Sequence, residues 1–548
     1  MFFKNSKFYA VLIFALFVVL RLPGLDLPYH QDEVKWAGHA SSGFQAIVQI
    51  PHPPLGTILM VMAAKIFGFD GMRYLPFVFG AINFWLLFYL VKYKFSFKAS
   101  LWSVLFLSVA FYSVLASLMV DTDGQILPFF FLLSAILFYK WQDGRTIGRK
   151  IFWGGLLILS LLLGFLIKVS FIIAVGAIIL ELLCYKSESL SFKGFIKTAS
   201  VTIGILVLFA TFVFGILYFL PNFNISQKLN YWRHFIIFAD RNYLQISIQF
   251  FKALFYASPL LLAPLFFINR TNFKKIRLFI IFLVLGLIFY LVLFDFSSGA
   301  LDRYLQFMVV PLSIIGGVMV ADIFGSDPIR VSRKIFVLSG LVAVGIFLTQ
   351  FLPHFVPALY PKAEWFGRVL NLKWNFLFPF TGGSGPMGFY VSWLFMALTW
   401  LATIILVIFA FIKIRWRRST WIVILILGLL YNGVFIEEYL FGKINGSPVV
   451  LLKNAVDFIK NDGNIRKVIT YNSIGDRELA QTGKYERRLY VAPKFEPSYV
   501  DILKNFKGHY LVIEIPRIDS NSIYVRYFTS CKVVYEEFSG KIPARVYD

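Results

Sequence analysis

Residues 29–56 read YHQDEVKWAGHASSGFQAIVQIPHPPLG. An Asp-Glu pair, three histidines and a His-Pro-Pro-Leu stand within one short segment, just after the apolar run FYAVLIFALFVVL. A carboxylate held near a membrane surface suits general-base chemistry, because it can take a proton from a hydroxyl or an amine. Asp32 and Glu33 are the residues for that role, and the bland alternative is a solvated loop with ordinary acids. His52 precedes Pro53 and Pro54, and Pro-Pro is a helix opening; His30 and His39 have no such context. Asp32, His39 and His52 leave a divalent cation as an open alternative, but no HExxH or CxxC spacing accompanies them, and no other cofactor is indicated.

A second set of residues has the chemistry of anion binding. Arg73 lies in FDGMRYLPFVFGAINF, Lys168 interrupts LLLGFLIKVSFIIAV, and Arg303 with Tyr304 opens the run in SSGALDRYLQFMVVPL. Guanidinium groups pair well with phosphate oxygens. The competing reading is that long cations snorkel to the interface. Asp121 and Asp123, in SLMVDTDGQILPF, sit between apolar runs, where acids are costly unless solvated, paired or used. Arg233 and His234, in LNYWRHFIIFADRN, are weaker candidates for the same surface.

The elements that must position these residues are membrane spans. The chain has 548 residues, 59% hydrophobic, 19% aromatic and only 15% charged, with a mean hydropathy of +0.74. Its repeated apolar runs match the thickness of a bilayer core. The fold class is therefore a polytopic all-α membrane protein with a small C-terminal soluble α/β domain. The formal net charge of +24 does not imply nucleic acid, because through about residue 440 most Lys and Arg lie between apolar runs, as anchors on the cytoplasmic side.

Candidate spans are 8–22, 75–91, 99–118, 125–140, 151–167, 169–185, 197–220, 250–268, 277–294, 304–324, 334–352, 390–413 and 419–437, about thirteen in all. Basic connections alternate with connections rich in Asp, His and aromatics, which puts the N-terminus inside and the C-terminus outside. The alternation decides the status of 55–69, LGTILMVMAAKIFGF. If it crossed, Lys92, Lys94 and Lys98 would face outward, so it reads as an interfacial or re-entrant helix within one large outer loop, 23–74. The first apolar run lacks an A-x-A-like cleavage site and reads as a retained span. Residues 353–389, rich in Pro, Gly and Trp, are too long for a simple turn and read as a lid or re-entrant element.

The domain division is 1–444, transmembrane, and 445–548, an extracytoplasmic α/β domain. SPVVLLKNAVDFIKND has a Ser-Pro helix start, while KVITYN, RLYVAP and YLVIEIP read as short strands. Cys184 and Cys531 fall on opposite sides of the membrane, so no disulfide framework is expected.

The chain resembles the GT-C membrane glycosyltransferases, in particular the superfamily of protein O-mannosyltransferases and aminoarabinose (lipid A) transferases. The pieces that carry the resemblance are QDE after the first span, HPPLG, MRYLPFVFG, LMVDTDGQILPFFFLLSA, YASPLLLAPL and DRYLQFMVVPL, in the family's order over most of residues 1–325. His-Pro-Pro-Leu is similar to the mannosyltransferases; the span number and outer C-terminal domain are similar to the aminoarabinose enzymes. The resemblance implies a polyprenyl-phosphate-linked sugar donor, undecaprenyl or dolichyl, and transfer on the outer face of the plasma or inner membrane to a protein, lipid A or cell-surface glycan. It makes Asp32 the base, with Glu33 beside it. Arg73 sits near the donor phosphate or supports the catalytic loop, Asp121 lines the same cavity, and Arg303 with Tyr304 meets the lipid phosphate. His52 shapes the loop.

Other readings differ in class. An oligosaccharyltransferase would carry Trp-Trp-Asp in its soluble tail, and none occurs here. A polysaccharide ligase or polymerase of related architecture stays open. A lipid or sugar transporter or flippase without glycosyl transfer is the alternative from another class; few charges lie within the spans to relay an ion. A structural scaffold leaves the order of the loop motifs unexplained.

Overall fold

The computed structural model describes residues 6–43, 52–186, 192–218, 241–293, 301–325, 333–380, 387–490 and 493–548, with isolated positions 226, 230 and 233. His234 lies outside them. Among the described residues, eight helices are long and apolar enough to cross a membrane: Tyr74–Lys94, Ile147–Ile167, Tyr243–Phe267, Arg270–Leu293, Leu305–Phe324, Arg333–Phe355, Trp393–Ile412 and Arg417–Leu440. Phe97–Val109 and Phe111–Leu118 form a bent pair that together passes the same test. Shorter apolar helices cover Phe8–Gly24, Pro54–Phe67, Ile126–Gln142, Val169–Cys184 and Ser200–Gly215. Each expected span overlaps one of these elements. Pro54–Phe67 is a helix of 14 residues, about 21 Å at the α-helical rise, shorter than a bilayer core.

Contacts divide the chain into two compact units. The first comprises Met1–Asp26, Lys35–Arg330 and Val407–Ile424; the second comprises Leu27–Val34, Val331–Leu406 and Leu425–Asp548.

In the first unit, polar side chains at the loop ends start the helices. Ser96 accepts from the Ala99 amide, Thr146 from Arg149, Asn242 from Gln245 and Asn269 from Asn272, each satisfying an amide that the first turn leaves unpaired. Val309–Phe324 lies at the centre of this unit, packed along Phe97–Val109. A Cβ at Gly317 would land on the hydroxyl and backbone nitrogen of Ser103, so glycine is what lets the two backbones approach.

The stretch expected as one span at 99–118 is instead broken. Ala110 is extended, with φ −65° and ψ 124°, and the two helices bend by 65°. The cause lies in Arg21, fully buried. Its guanidinium donates to the carbonyls of Leu107 (3.2 Å), Ser108 (3.0 Å) and Phe17 (2.9 Å) and to the hydroxyls of Ser113 (2.9 Å) and Ser117 (3.0 Å). Carbonyls at a helix end need partners when buried, and this one side chain supplies them.

In the second unit, residues 445–548 form a five-stranded mixed sheet of order β4-β3-β5-β7-β6, counting β1 as Leu377–Phe380, β2 as Phe389–Ser392, β3 as Val468–Tyr471, β4 as Tyr485–Leu489, β5 as His509–Ile513, β6 as Val533–Ser539 and β7 as Ile542–Tyr547. β4, β3 and β5 are parallel, while β7 is antiparallel to β5 and β6. Helix Pro448–Asn461 starts at Ser447, whose hydroxyl accepts from the Val450 amide, as its Ser-Pro opening predicts. The 353–389 segment builds the helix Lys362–Leu370, and β1 pairs antiparallel with β2. Ala358, Leu359, Leu377, Met387 and Tyr390 share a core with Leu451, Leu511 and Ile542. The Tyr390 hydroxyl donates to the Glu514 carbonyl (3.0 Å) and Arg517 to the Leu359 carbonyl (3.0 Å). Residues at both ends of this connection are thus packed onto the sheet domain, while the helix Lys362–Leu370 between them has no buried residue.

Candidate active site

Two of the sequence motifs open or close their elements at one place in the first unit. Pro53 caps and Pro54 begins the helix Pro54–Phe67, fixing the chain direction with a residue that needs no amide partner. Two residues on, a Cβ at Gly56 would lie 3.0 Å from the Ile167 carbonyl and 3.4 Å from the Thr122 methyl. The glycine of HPPLG therefore seats this helix against the residue before Lys168 and the residue after Asp121. His52 stacks on Trp36, ring centroids 5.5 Å apart and planes 21° from parallel.

Asp121 follows the helix Phe111–Leu118, and its Oδ1 accepts from the Thr122 amide at 2.6 Å. Its Oδ2 lies 3.0 Å from Arg303 Nε. Asp123 pairs with Lys168 through Oδ2 and Nζ. Tyr304 bridges the cations: its hydroxyl accepts from Arg303 Nη2 at 2.9 Å, the Arg303 guanidinium carbon lies 4.7 Å from its ring centre, and Lys168 Nζ lies 4.7 Å from the same centre. Tyr290 stacks on Tyr304 at 5.6 Å. All four charged groups are at most 7% exposed. Two acids against two cations make the cluster neutral overall, as burial requires, because an unpaired buried charge is far more costly than a paired one.

The environment separates the two acids. Burial would raise the Asp121 carboxyl, but Arg303 and then Lys168 hold it below its ordinary value. Burial pushes Asp123 up to about 6, with Lys168 opposing. Burial would lower Lys168, but Asp123 and Asp121 prevail and raise it. A cavity of about 30 Å³ adjoins the cluster, lined among others by Asp123, Ser170, Tyr290 and Tyr304. That is room for one or two waters, and Asp123 Oδ1 is a buried acceptor without a partner among the described residues.

Arg73 is buried and donates through Nη1 to the Leu118 carbonyl. It secures the helix end that leads into Asp121. Thus Asp121, Asp123, Lys168, Arg303 and Tyr304 come together, with Arg73 anchoring the helix end ahead of Asp121. Asp32 and Glu33 belong to the second unit. There, half-buried Asp32 begins the helix Asp32–Ser41. Glu33 is 1% exposed and its Oε2 accepts from the His30 amide at 3.1 Å, holding the turn that presents Asp32. Gln31 is left-handed at φ 46°, and its amide lies 3.4 Å from Asn472 Oδ1. Arg477 sits over the Tyr29 ring at 4.7 Å. Among the described residues, no group of three or more His, Cys, Asp or Glu is placed to hold a metal ion.

The sequence reading missed a polar network in the first unit. Besides Arg21 it includes Asn83, which donates to the Gln125 carbonyl (2.8 Å) and side chain (2.9 Å), and Gln125, which donates to Ser117 (2.9 Å). Gln125 follows the VDTDG motif directly. The one available signal was an arginine at the end of the first apolar run, where the positive-inside rule predicts none.

The sequence model of the dolichyl-phosphate-mannose-protein mannosyltransferase family matches residues 51–215, the stretch that supplies His52, Arg73, Asp121, Asp123 and Lys168. No curated protein matches the chain. In three dimensions it is similar to ArnT from Cupriavidus metallidurans in the apo state, with a TM-score of 0.52, 13% identity, and coverage of 99% of this chain and 98% of that one. The likeness to the same protein bound to undecaprenyl phosphate has a TM-score of 0.52, 12% identity, and coverage of 100% and 98%. The resemblance to the GT-C glycosyltransferases holds. It is one of sequence over residues 51–215 and one of fold over the whole chain. In this ArnT-like fold the family-matched stretch provides Asp121, Asp123 and Lys168, and Arg303 with Tyr304 completes the cluster from beyond it.

Proposed function

We propose that this chain is an integral-membrane glycosyltransferase that moves a sugar from a polyprenyl-phosphate carrier to a protein, lipid A or cell-surface glycan, on the extracytoplasmic face and with inversion. The observation that carries the proposal is the meeting of Asp121 and Asp123 of VDTDG, Lys168, and Arg303 with Tyr304 in one buried charged cluster seated against HPPLG. The family match over residues 51–215 and the fold shared with a protein solved with undecaprenyl phosphate support it.

As the glycosidic bond breaks, negative charge grows on the departing lipid phosphate. Arg303 and Lys168 offset that charge, with Tyr304 orienting both, and preorganised cations lower a barrier when charge develops beside them. Asp121 and Asp123 hold the two cations in place. Arg73 supports the connection that bears them, and His52, Pro53 and Pro54 shape the loop beside it. Asp32 takes the acceptor proton, with Glu33 fixing the turn. A single base suffices, because the phosphate leaves without an acid. The topology proposed with this reading has residues 1–444 as the membrane domain, a cytoplasmic N-terminus and an extracytoplasmic domain at 445–548.

The test is transfer from a radiolabelled polyprenyl-phosphate sugar by the purified protein in vesicles, together with mass spectrometry of lipid-linked sugars in a deletion strain. The expected result is labelled acceptor in vitro and, in the strain, accumulated donor with an under-modified acceptor. Movement of labelled lipid across the bilayer with no glycosyl transfer would establish the flippase reading instead.

A further inference from the structure

The second unit contains a cavity that the proposed chemistry does not use. It has a volume of about 770 Å³ and is lined by Val356, Pro357, Tyr360, Arg368, Leu372, Lys373, Trp374, Asn375 and Leu394. These residues belong to the connection between the candidate spans Arg333–Phe355 and Trp393–Ile412 and to the start of the latter. The cavity therefore sits where the chain leaves the apolar layer. Its size is that of a small-molecule site rather than a packing defect.

Among the described residues, the lining has two cations, Arg368 and Lys373, and no acid. The Arg368 guanidinium lies 3.5 Å from the centre of the Tyr360 ring, and its Nε is shielded from solvent with no hydrogen-bond partner among the described residues. Asn375 Oδ1 is likewise a shielded acceptor without a partner among the described residues. A buried donor and a buried acceptor left unmade cost free energy that a ligand can recover. Along the same connection, large apolar side chains are bare: Phe355 is 83% exposed, Phe366 72%, Leu370 65% and Leu372, which lines the cavity, 74%. In a membrane protein such residues face acyl chains.

We propose that this cavity binds the phosphate headgroup of an anionic lipid that also carries a hydroxyl. Arg368 and Lys373 pair with the phosphate, as planar and point cations do, Asn375 accepts from the hydroxyl, and the exposed apolar residues lie along the acyl chains. A choline or ethanolamine headgroup fits less well. Its ammonium meets two cations, and the aromatic face that would attract it is already covered by Arg368.

The proposal does not depend on glycosyl transfer and is tested without it. Full-length protein, delipidated in detergent, is titrated by native mass spectrometry with phosphatidylglycerol, with phosphatidylcholine of the same acyl chains, and with soluble glycerol 3-phosphate. Wild type retains phosphatidylglycerol at least about tenfold over phosphatidylcholine, the range expected of charge-assisted bonds to phosphate. The R368Q/K373Q protein loses that preference about tenfold, and K373Q alone, at an exposed residue that cannot disturb folding, loses it by about two- to fivefold. Glycerol 3-phosphate alone binds weakly, since it lacks the chains that the apolar rim holds. Equal retention of both lipids by wild type overturns the proposal. So does an unchanged preference in K373Q and the double variant, or binding of glycerol 3-phosphate as tight as that of the lipid.

Discussion

Removing Arg303 tests both what holds the cluster together and what it does. Arg303 Nε lies 3.0 Å from Asp121 Oδ2, with the two side chains 6% and 1% exposed. Replacing it by Met leaves the Asp121 carboxylate buried without its nearest cation. Breaking a buried pair from one side costs about 3–5 kcal/mol, so R303M melts well below wild type in detergent. The R303M/D121N protein carries neither charge and regains most of that loss, with a coupling of about 0.5–3 kcal/mol between the sites. Activity separates the roles. A charge-assisted bond to phosphate contributes about 1.5–3 kcal/mol, or roughly 10- to 100-fold in kcat/KM. If Arg303 touches the donor phosphate, the double variant recovers its melting temperature and stays 10- to 100-fold slow in radiolabelled transfer. A double variant that is both stable and fully active would show that Arg303 only neutralises Asp121. An R303M protein that melts with wild type would refute the pairing itself.

Four further outcomes follow from the structure. Asp32→Asn is expected to lose about 10²- to 10⁴-fold in transfer rate while donor binding is kept; transfer at the wild-type rate rejects Asp32 as the base. Arg21→Leu strands the carbonyls of Leu107 and Ser108 at the Ala110 break, each about 1–3 kcal/mol when buried and unpaired, so thermal unfolding in detergent should move sharply down; an unchanged melt refutes the role given to Arg21. Gly317→Val forces a side chain onto Ser103 and should destabilise by about 1–3 kcal/mol, with normal stability indicating that the two helices separate freely. Asp123 has its folded pKa raised to about 6, above the ordinary 3.8, so its contribution to stability is fully present below about pH 4 and lost as pH rises through 6. Wild type should therefore gain in melting temperature on D123N as pH falls from 6 towards 4, and a pH-independent difference between the two would contradict the raised pKa.

The sequence alone determined the membrane class, the helices and the motifs. Apolar runs of span length allow only helices to satisfy the backbone in lipid, which is why every expected span overlaps a helical element. HPPLG could be read as a helix start because Pro-Pro fixes local geometry. Ser447-Pro448 and the short strands read from KVITYN (467–472) and YLVIEIP (510–516) were legible for the same local reason and coincide with β3 and β5, whereas RLYVAP (488–493) meets only the end of β4. Strand β4 and the β6-β7 hairpin were less so: β4 begins at half-buried Tyr485 followed by exposed Glu486 and Arg487, and β6 mixes exposed and half-buried residues, so neither shows a clean apolar pattern. Only the tertiary structure decided that Asp121 meets Arg303 while Asp123 meets Lys168, that Arg73 serves a carbonyl, and that one expected span bends at Ala110. Those outcomes depend on which buried charges and carbonyls lie within about 3 Å of one another. Local sequence does not encode that distance, because it is set by residues that are close in the fold and some 45 to 180 positions apart in the chain.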